Sequence, residues 1–200
     1  MTEVELIERC RKKDSKAQSI LYELYSRKMM SVCLRYSSDI EDAKDLLQEG
    51  FVKVFSTLES YAFKGSFEGW VRRVFVNTAL ENLRKSDILK DSADLSDIEN
   101  NVFADNNVIE ELSAKELLNT IAKLPMGYRT VFNMYAIEGY SYSEIAKMLE
   151  VEESTCRSRY LRARKMLQRK IQEAYSFSTS KADIKEKTAA ENIIHELQTL

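Results

Sequence analysis

Apolar residues recur at steps of three and four along two long stretches of the chain, the rhythm of helices that bury one face. Between Ser15 and Tyr36 the repeat runs through Ile20, Leu21, Leu24, Tyr25, Met29, Val32, Cys33 and Tyr36 and predicts one long helix. Ser38-Asp39-Ile40-Glu41 has the form of a capping box and opens a helix with a predicted core stripe of Ile40, Ala43, Leu47, Phe51, Val54 and Leu58. Tyr61 to Ser66 reads as a loop ending in an N-cap serine. The helix after it, Phe67 to about Lys85, is expected to bury Phe67, Trp70, Val71, Val74 and Thr78. The rhythm stops at 86 and resumes near 113. Leu124-Pro125 marks a helix start, and Glu138-Gly139 its stop after Val131 and Tyr135. Ser141-Tyr142-Ser143-Glu144 is a second capping box, opening a short helix through Ile145, Ala146 and Leu149. A tight turn at Glu150-Val151-Glu152 leads into a longer helix with Cys156, Tyr160, Ala163, Leu167 and Ile171 on one side.

Composition supports an all-α reading. Of 200 residues 44% are hydrophobic, while five glycines and one proline are too few for the turns of a β fold. No internal repeat is present. The expected organisation is two small helical domains, 1–85 and 113–174, joined by a linker at 86–112. That linker has eight acids against Lys90 alone, net −7, and four asparagines, a mixture that disfavours packing. Residues 175–200 are an extension, either a tail or an amphipathic helix through Ala190, Ile193, Ile194, Leu197 and Leu200 that packs on the domain or on a regulator.

Several kinds of chemistry are excluded. The single histidine, His195, rules out His-based triads and His-rich zinc sites. Cys10, Cys33 and Cys156 are scattered without metal spacing and read as reduced, buried or half-buried thiols. The glycines stand singly, so no phosphate loop exists. No metal or cofactor site is expected, and an assembled catalytic set is lacking. Without an apolar leader or membrane-length run, the expected location is the cytoplasm.

The net charge of −2 conceals strong local segregation. On the helix opened at Ile40, Asp42, Asp45 and Glu49 align opposite the core stripe, with Val52 beside them and Leu46 on the other flank. Stacked acids repel unless solvent or a cation faces them, so this is a solvated face or a docking surface. Seven aromatics fall between 51 and 75. Most fit the core, but Tyr61 and Phe63 of the loop fit it least well. With Lys64, Ser66, Arg72, Arg73, Asn77, Arg84 and Lys85 nearby, they suit stacking of unpaired bases and holding of phosphates.

The last long helix has no acid between 154 and 172 and a charge of +7. A short helix, a three-residue turn and a basic helix form the helix-turn-helix pattern. Ser154, Thr155, Arg157, Ser158 and Arg159 would lie over base edges, with Arg162, Arg164 and Lys165 reaching phosphates. Glu152 and Glu153 suit the positive end of that helix and are expected to point away from DNA.

These segments resemble a known family. Asp42-Ala43-Lys44-Asp45-Leu46-Leu47-Gln48-Glu49-Gly50-Phe51 is similar to the core-binding motif of sigma factor region two, and Phe67 to Asn77 to the segment that follows it. Leu124 to Leu167, with Tyr140 to Ala146 and Ser154 to Arg164, resembles region four. Two such regions and a short linker resemble the extracytoplasmic-function (ECF) class of the sigma-70 family.

The resemblance implies a factor that binds RNA polymerase core, directs it to promoters and helps open the DNA. It implies docking of Asp42, Asp45, Leu46, Gln48, Glu49 and Val52 on the β′ clamp helices. The 61–66 loop would capture a flipped minus-ten base, and the basic helix would read the minus-thirty-five duplex, with region four also touching the β flap. The acidic linker would thread the RNA-exit path, and an anti-sigma factor is an expected regulator. Glu150 departs from the family, where glycine is common; a positive φ there would be strained. Ser154, Cys156 and Arg157 also differ, so the promoter sequence cannot be transferred. The alternative is a stand-alone helix-turn-helix regulator that binds duplex DNA without polymerase.

Overall fold

The computed structural model of the chain describes residues 1–85 and 112–178, with side chains placed for 1–85 and 117–170. Most of the acidic linker and all of the extension beyond 178 lie outside the described residues, as does the amphipathic reading of Ala190 to Leu200. Eight α-helices and no strand stand among the described residues. They fall into two compact units, α1–α4 in the first and α5–α8 in the second. The fold is all-α.

Each helix of the first unit begins at a residue able to accept backbone hydrogen bonds. In α1 (Glu3–Arg11) the Thr2 hydroxyl accepts from the Glu5 amide, and the Glu5 carboxylate accepts from the Thr2 amide. Asp14 caps α2 (Ser15–Tyr36) by accepting from the Lys16 and Ala17 amides, and its carboxylate is paired with Arg9 at 2.7 Å. One carboxylate thus fixes the corner between two helices. Asp39 caps α3 (Ile40–Thr57) through the amides of Glu41 and Asp42. This corrects the expected box at Ser38: the ionised acceptor one residue later takes the position, and Glu41 pairs with Lys44 instead. A 3₁₀ turn, Leu58–Ser60, ends α3, and α4 spans Phe67–Lys85 with the Ser66 hydroxyl accepting from the Gly69 amide.

The predicted helices form, but the buried faces are rotated. Ile20 and Leu24 of the α2 stripe are exposed, because α1, α3 and α4 cover the side with Leu21, Tyr25, Met29, Val32 and Tyr36. On α3 Ile40 is exposed and Leu47 half-buried, whereas Leu46 and Gly50 are buried. The core face is turned by roughly 40° from the predicted stripe, at ~100° per residue. On α4 Trp70 and Val74 are only half-buried, while Phe75, Val76, Ala79, Leu80 and Leu83 join the core.

Gly50 explains the rotation of α3. A Cβ built there would stand 2.2 Å from the Phe75 ring, so only glycine lets that ring lie against the α3 backbone. The same ring meets Phe51 edge-on, with centroids 5.3 Å apart. A second aromatic group, Tyr25, Tyr61, Phe67 and Trp70, fills the end of the unit near the 61–66 loop.

In the second unit α5 (Leu112–Ala122) leads to Pro125 and α6 (Met126–Phe132), which widens into a π turn over Asn133–Ile137. Gly139 ends it at φ +77°, a left-handed position suited to glycine. The Arg129 side chain is buried and donates from Nη1 to the Ala122 carbonyl at 2.7 Å, tying the end of α5 to α6. Burial lowers its pKa to about 10, so it remains a cation at neutral pH. Helices α7 (Tyr142–Leu149) and α8 (Glu153–Ser178) pack with α6 around Phe132, Ile145, Tyr160 and Leu167. All three cysteines are buried thiols.

Gly50→Ala separates helix propensity from packing. Alanine should gain about 1 kcal/mol in a helix interior, but the fully buried Phe75 ring stands where its Cβ would go and would have to shift within the core. The expected result is net destabilisation of about 1–3 kcal/mol, measured by urea unfolding. A stabilised variant would show that α3 and α4 can separate freely there.

Candidate nucleic-acid and protein interfaces

Three surfaces contain the residues singled out from the sequence. On α3, Asp42, Asp45 and Gln48 are exposed and Val52 is 67% exposed, an apolar residue at the edge of an acidic strip. Neither Asp42 nor Asp45 has an ion-pair partner among the described residues. Glu49 is different. Half-buried, it accepts from the Asn82 amide at 2.6 Å and lies 3.7 Å from Lys53, which pairs in turn with Glu81. Leu46 is corrected outright: at 6% exposure it belongs to the core side created by Gly50, not to the surface.

The second surface is the 61–66 loop with one side of α4. Tyr61 was expected to offer its ring to a base, but it is 4% exposed. Its ring packs on Phe67 and Trp70, and its hydroxyl donates to the Gly65 carbonyl at 2.9 Å, bracing the loop from inside. Phe63 is 42% exposed and Lys64 and Ser66 are open. The backbone is left-handed at Phe63 (φ +55°) and Gly65 (φ +82°). Glycine accepts this freely, but for an aromatic residue it costs about 1–3 kcal/mol.

Along α4, Arg73, Asn77 and Arg84 fall within ~40° of one another and are exposed. Leu80 beside them is buried. Arg72 is half-buried and 3.6 Å from Glu68, which also pairs with Lys28; Lys85 is exposed at the helix end. The surface is cationic and hydrogen-bonding, with one open ring at its margin.

The third surface is the helix-turn-helix. The capping box is present at Ser141: its hydroxyl accepts from the Glu144 amide while the Glu144 carboxylate accepts from the Ser141 amide. Glu150 closes α7 at φ +56°, ψ +44°, the left-handed position in doubt from the sequence. The turn is then complete within three residues.

On α8, Cys156, Tyr160, Ala163 and Leu167 are fully buried, which turns Ser154, Arg157, Ser158, Arg162 and Lys165 outward. Thr155, Arg159 and Arg164 are half-buried at the margins, and Leu161 is exposed among the charges. Glu153 does not simply face away from this surface. It holds the Arg157 guanidinium at 2.7 Å, and that group also sits 5.2 Å from the Tyr142 ring centroid. Tyr142 is stacked on Tyr135 with centroids 4.3 Å apart. This aromatic support was missed from the sequence, as was Arg11, whose contacts lie far along the chain.

The segments that shape these surfaces match sigma-70 region 2 over residues 21–88 and sigma-70 region 4 over 114–167. Over 183 residues the chain is 32% identical to the ECF RNA polymerase sigma-E factor of Haemophilus influenzae, covering 86% of this chain and 96% of that protein. The chain belongs to the sigma-70 family of RNA polymerase sigma factors, ECF class. Its similarity to the sigma-E factor of Escherichia coli K12 is also 32% identity, over 86% of this chain and 95% of that protein. A solved sigma factor RpoE from Bartonella quintana, in complex with the anti-sigma factor NepR, shares the fold at TM-score 0.52 and 20% identity. That match covers 76% of this chain and 94% of the Bartonella chain.

Membership in the family makes the protein a transcription initiation factor that directs RNA polymerase to promoters. The stand-alone regulator is not favoured, because region 2 accompanies the helix-turn-helix on the same chain. No helix among the described residues is long and apolar enough to cross a membrane, and no cluster among them could hold a metal ion.

Replacing Glu150 by glycine, the residue suited to its left-handed backbone, should stabilise the sigma factor by about 0.5–1 kcal/mol. Thermal unfolding of the full chain checks this. A lower melting temperature would mean that the Glu150 side chain contributes more than its backbone strain costs.

Proposed function

We propose that the acidic strip of α3 docks on RNA polymerase core, at the clamp helices of the β′ subunit, through Asp42, Asp45, Gln48 and Val52. Glu49 stands at the edge of this contact, and Leu46 supports it from the core. The loop carrying Phe63, Lys64 and Ser66, with Arg72, Arg73, Asn77, Arg84 and Lys85, receives the minus-ten strand and helps open the duplex. Ser154, Thr155, Arg157, Ser158 and Arg159 read the minus-thirty-five major groove, while Arg162, Arg164 and Lys165 meet its phosphates. The apolar side of the second unit faces the β flap.

Residues 1–85 are thus the minus-ten and core-binding domain, 86–112 an acidic connector along the RNA-exit path, and 113–174 the minus-thirty-five domain. An anti-sigma factor, the class of partner that the Bartonella sigma factor binds, would hold the factor inactive in the cytoplasm. The observation that supports this assignment most is the pairing of unlike surfaces. Asp42 and Asp45, acids with no ion-pair partner among the described residues, lie in region 2, and a stretch of charge +7 over residues 154–172 lies in the helix of region 4.

Run-off transcription on a genomic library with bacterial core polymerase tests it. Discrete transcripts should require both components, and their start sites would give the promoter. Asp45→Lys should abolish core binding while leaving the fold intact. Arg157→Ala should keep core binding and lower promoter affinity about tenfold or more, the scale of one lost base contact. Transcripts unaffected by Asp45→Lys would reject the docking assignment, and DNA binding by the chain alone without core would revive the regulator reading.

A further inference from the structure

Phe63 combines two unfavourable features. Its backbone is left-handed, and its ring is nevertheless 42% exposed, so burial compensates for the strain only in part. A further contact holds it. Arg11, in the last turn of α1, reaches this segment from about fifty positions away. Its Nε and Nη2 donate to the Leu58 carbonyl, both at 3.3 Å, and Nη2 also donates to the Tyr61 carbonyl. Nη1 pairs with Glu8 at 2.8 Å.

These contacts use the edge of the planar guanidinium and leave its face available. The Phe63 ring centroid is 5.0 Å from the guanidinium carbon, within cation–π range. The other side of the loop is tied by the Tyr61 hydroxyl to the Gly65 carbonyl, and the Tyr61 and Phe63 rings lie 5.0 Å apart. Both ends of the segment are therefore fixed, and an exposed ring projects between them.

We propose that Arg11 is a positioning residue that presents the Phe63 ring, already ordered, as a stacking platform for an unpaired base of the opened promoter. The inference rests on the reading of the 61–66 loop as the minus-ten base site. It adds that α1, outside the segment matched to region 2, contributes to that site. A ring ordered before binding loses less freedom when a base stacks on it, so affinity for single-stranded DNA depends on Arg11 without contact between them. The 3₁₀ turn at Leu58–Ser60 is closed by the Tyr61 amide donating to the Leu58 carbonyl, and the guanidinium adds its own donors to that same carbonyl.

The test uses holoenzyme reconstituted from the full chain and bacterial core polymerase. The probe is a fluorescent single-stranded oligonucleotide of the non-template minus-ten strand, from a promoter mapped by run-off transcription. Phe63→Ala should weaken probe binding about tenfold or more, and Arg11→Ala about three- to tenfold. The double variant should bind no worse than Phe63→Ala alone, because Arg11 acts through the ring. Arg11→Lys keeps the charge but loses the fork, and should fall between Arg11→Ala and wild type. Affinity for core and for a duplex carrying only the minus-thirty-five region should not change.

Additive losses in the double variant, or probe binding by Arg11→Lys at the wild-type level, would overturn the role of Arg11. That result would leave the loop assignment standing if Phe63→Ala still loses affinity. Wild-type affinity in Phe63→Ala, or no binding of the probe by wild type, would overturn the loop assignment and the proposal with it. If Arg11→Ala melts early, the folded Arg11→Lys variant decides the matter.

Discussion

The close approach of α3 and α4 at Gly50 governs how the first unit presents itself. With no Cβ at this position, the Phe75 ring lies directly against the α3 backbone. That contact sets the rotation of α3, bringing Leu46 inward and leaving Asp42, Asp45, Gln48 and Val52 on the outside. It also sets the rotation of α4, since a helix that points Phe75 into the core turns Arg73 and Asn77 away from it. Two surfaces of opposite character, acidic and cationic, therefore depend on one packing contact. The helical parts of both need no special backbone to face outward, whereas the 61–66 loop at the margin of the cationic surface does.

The second unit depends on local geometry more than on close packing. The capping box at Ser141 fixes where α7 begins, and the left-handed Glu150 fixes where it ends. Between those two points only eight residues remain, and the following turn leaves α8 no freedom in its starting direction. The buried face Cys156, Tyr160, Ala163 and Leu167 then determines which side chains look outward. Arg129 plays a parallel role at α5, donating from within the core to the carbonyl of its last residue, Ala122. A buried cation that keeps its charge is tolerated where hydrogen bonds replace part of its hydration, and the Ala122 carbonyl supplies one.

What could be read in advance follows from the range of each interaction. Helix existence, the Ser66 and Ser141 caps and the strained Glu150 turn involve residues within four positions, and all are visible in a string of letters. The sigma-70 family was legible too, because its motifs are local. Leu46 was misplaced because the period of a helix gives a stripe, whereas the centre of the stripe depends on what packs on it. Tyr61 was misread for the same reason: its place in a loop, off any helical stripe, suggested exposure, but Phe67 and Trp70 enclose it. Arg11 left no signal at all. Its partners lie 47 and 50 positions away, and a basic residue near a helix end is ordinarily explained by the helix dipole.

Charges already engaged within the molecule act differently from charges that are not. Asp42 and Asp45 have nothing to release among the described residues, so an approaching cationic surface meets them at little cost beyond desolvation. Glu49 would have to surrender or share Asn82. Arg157 is held by Glu153 and Tyr142 in the free protein. An exposed pair of this kind is worth about 0.2–1 kcal/mol, whereas a good bidentate base contact contributes about 1–3 kcal/mol. In the proposed major-groove contact, a correctly placed base would therefore draw Arg157 away from Glu153. A single phosphate met at random offers a smaller net gain, because the internal acid competes for the same guanidinium. If the proposed groove contact holds, an acid next to this arginine weakens indiscriminate contact more than specific contact, which suits a helix with seven positive charges and no acid between 154 and 172.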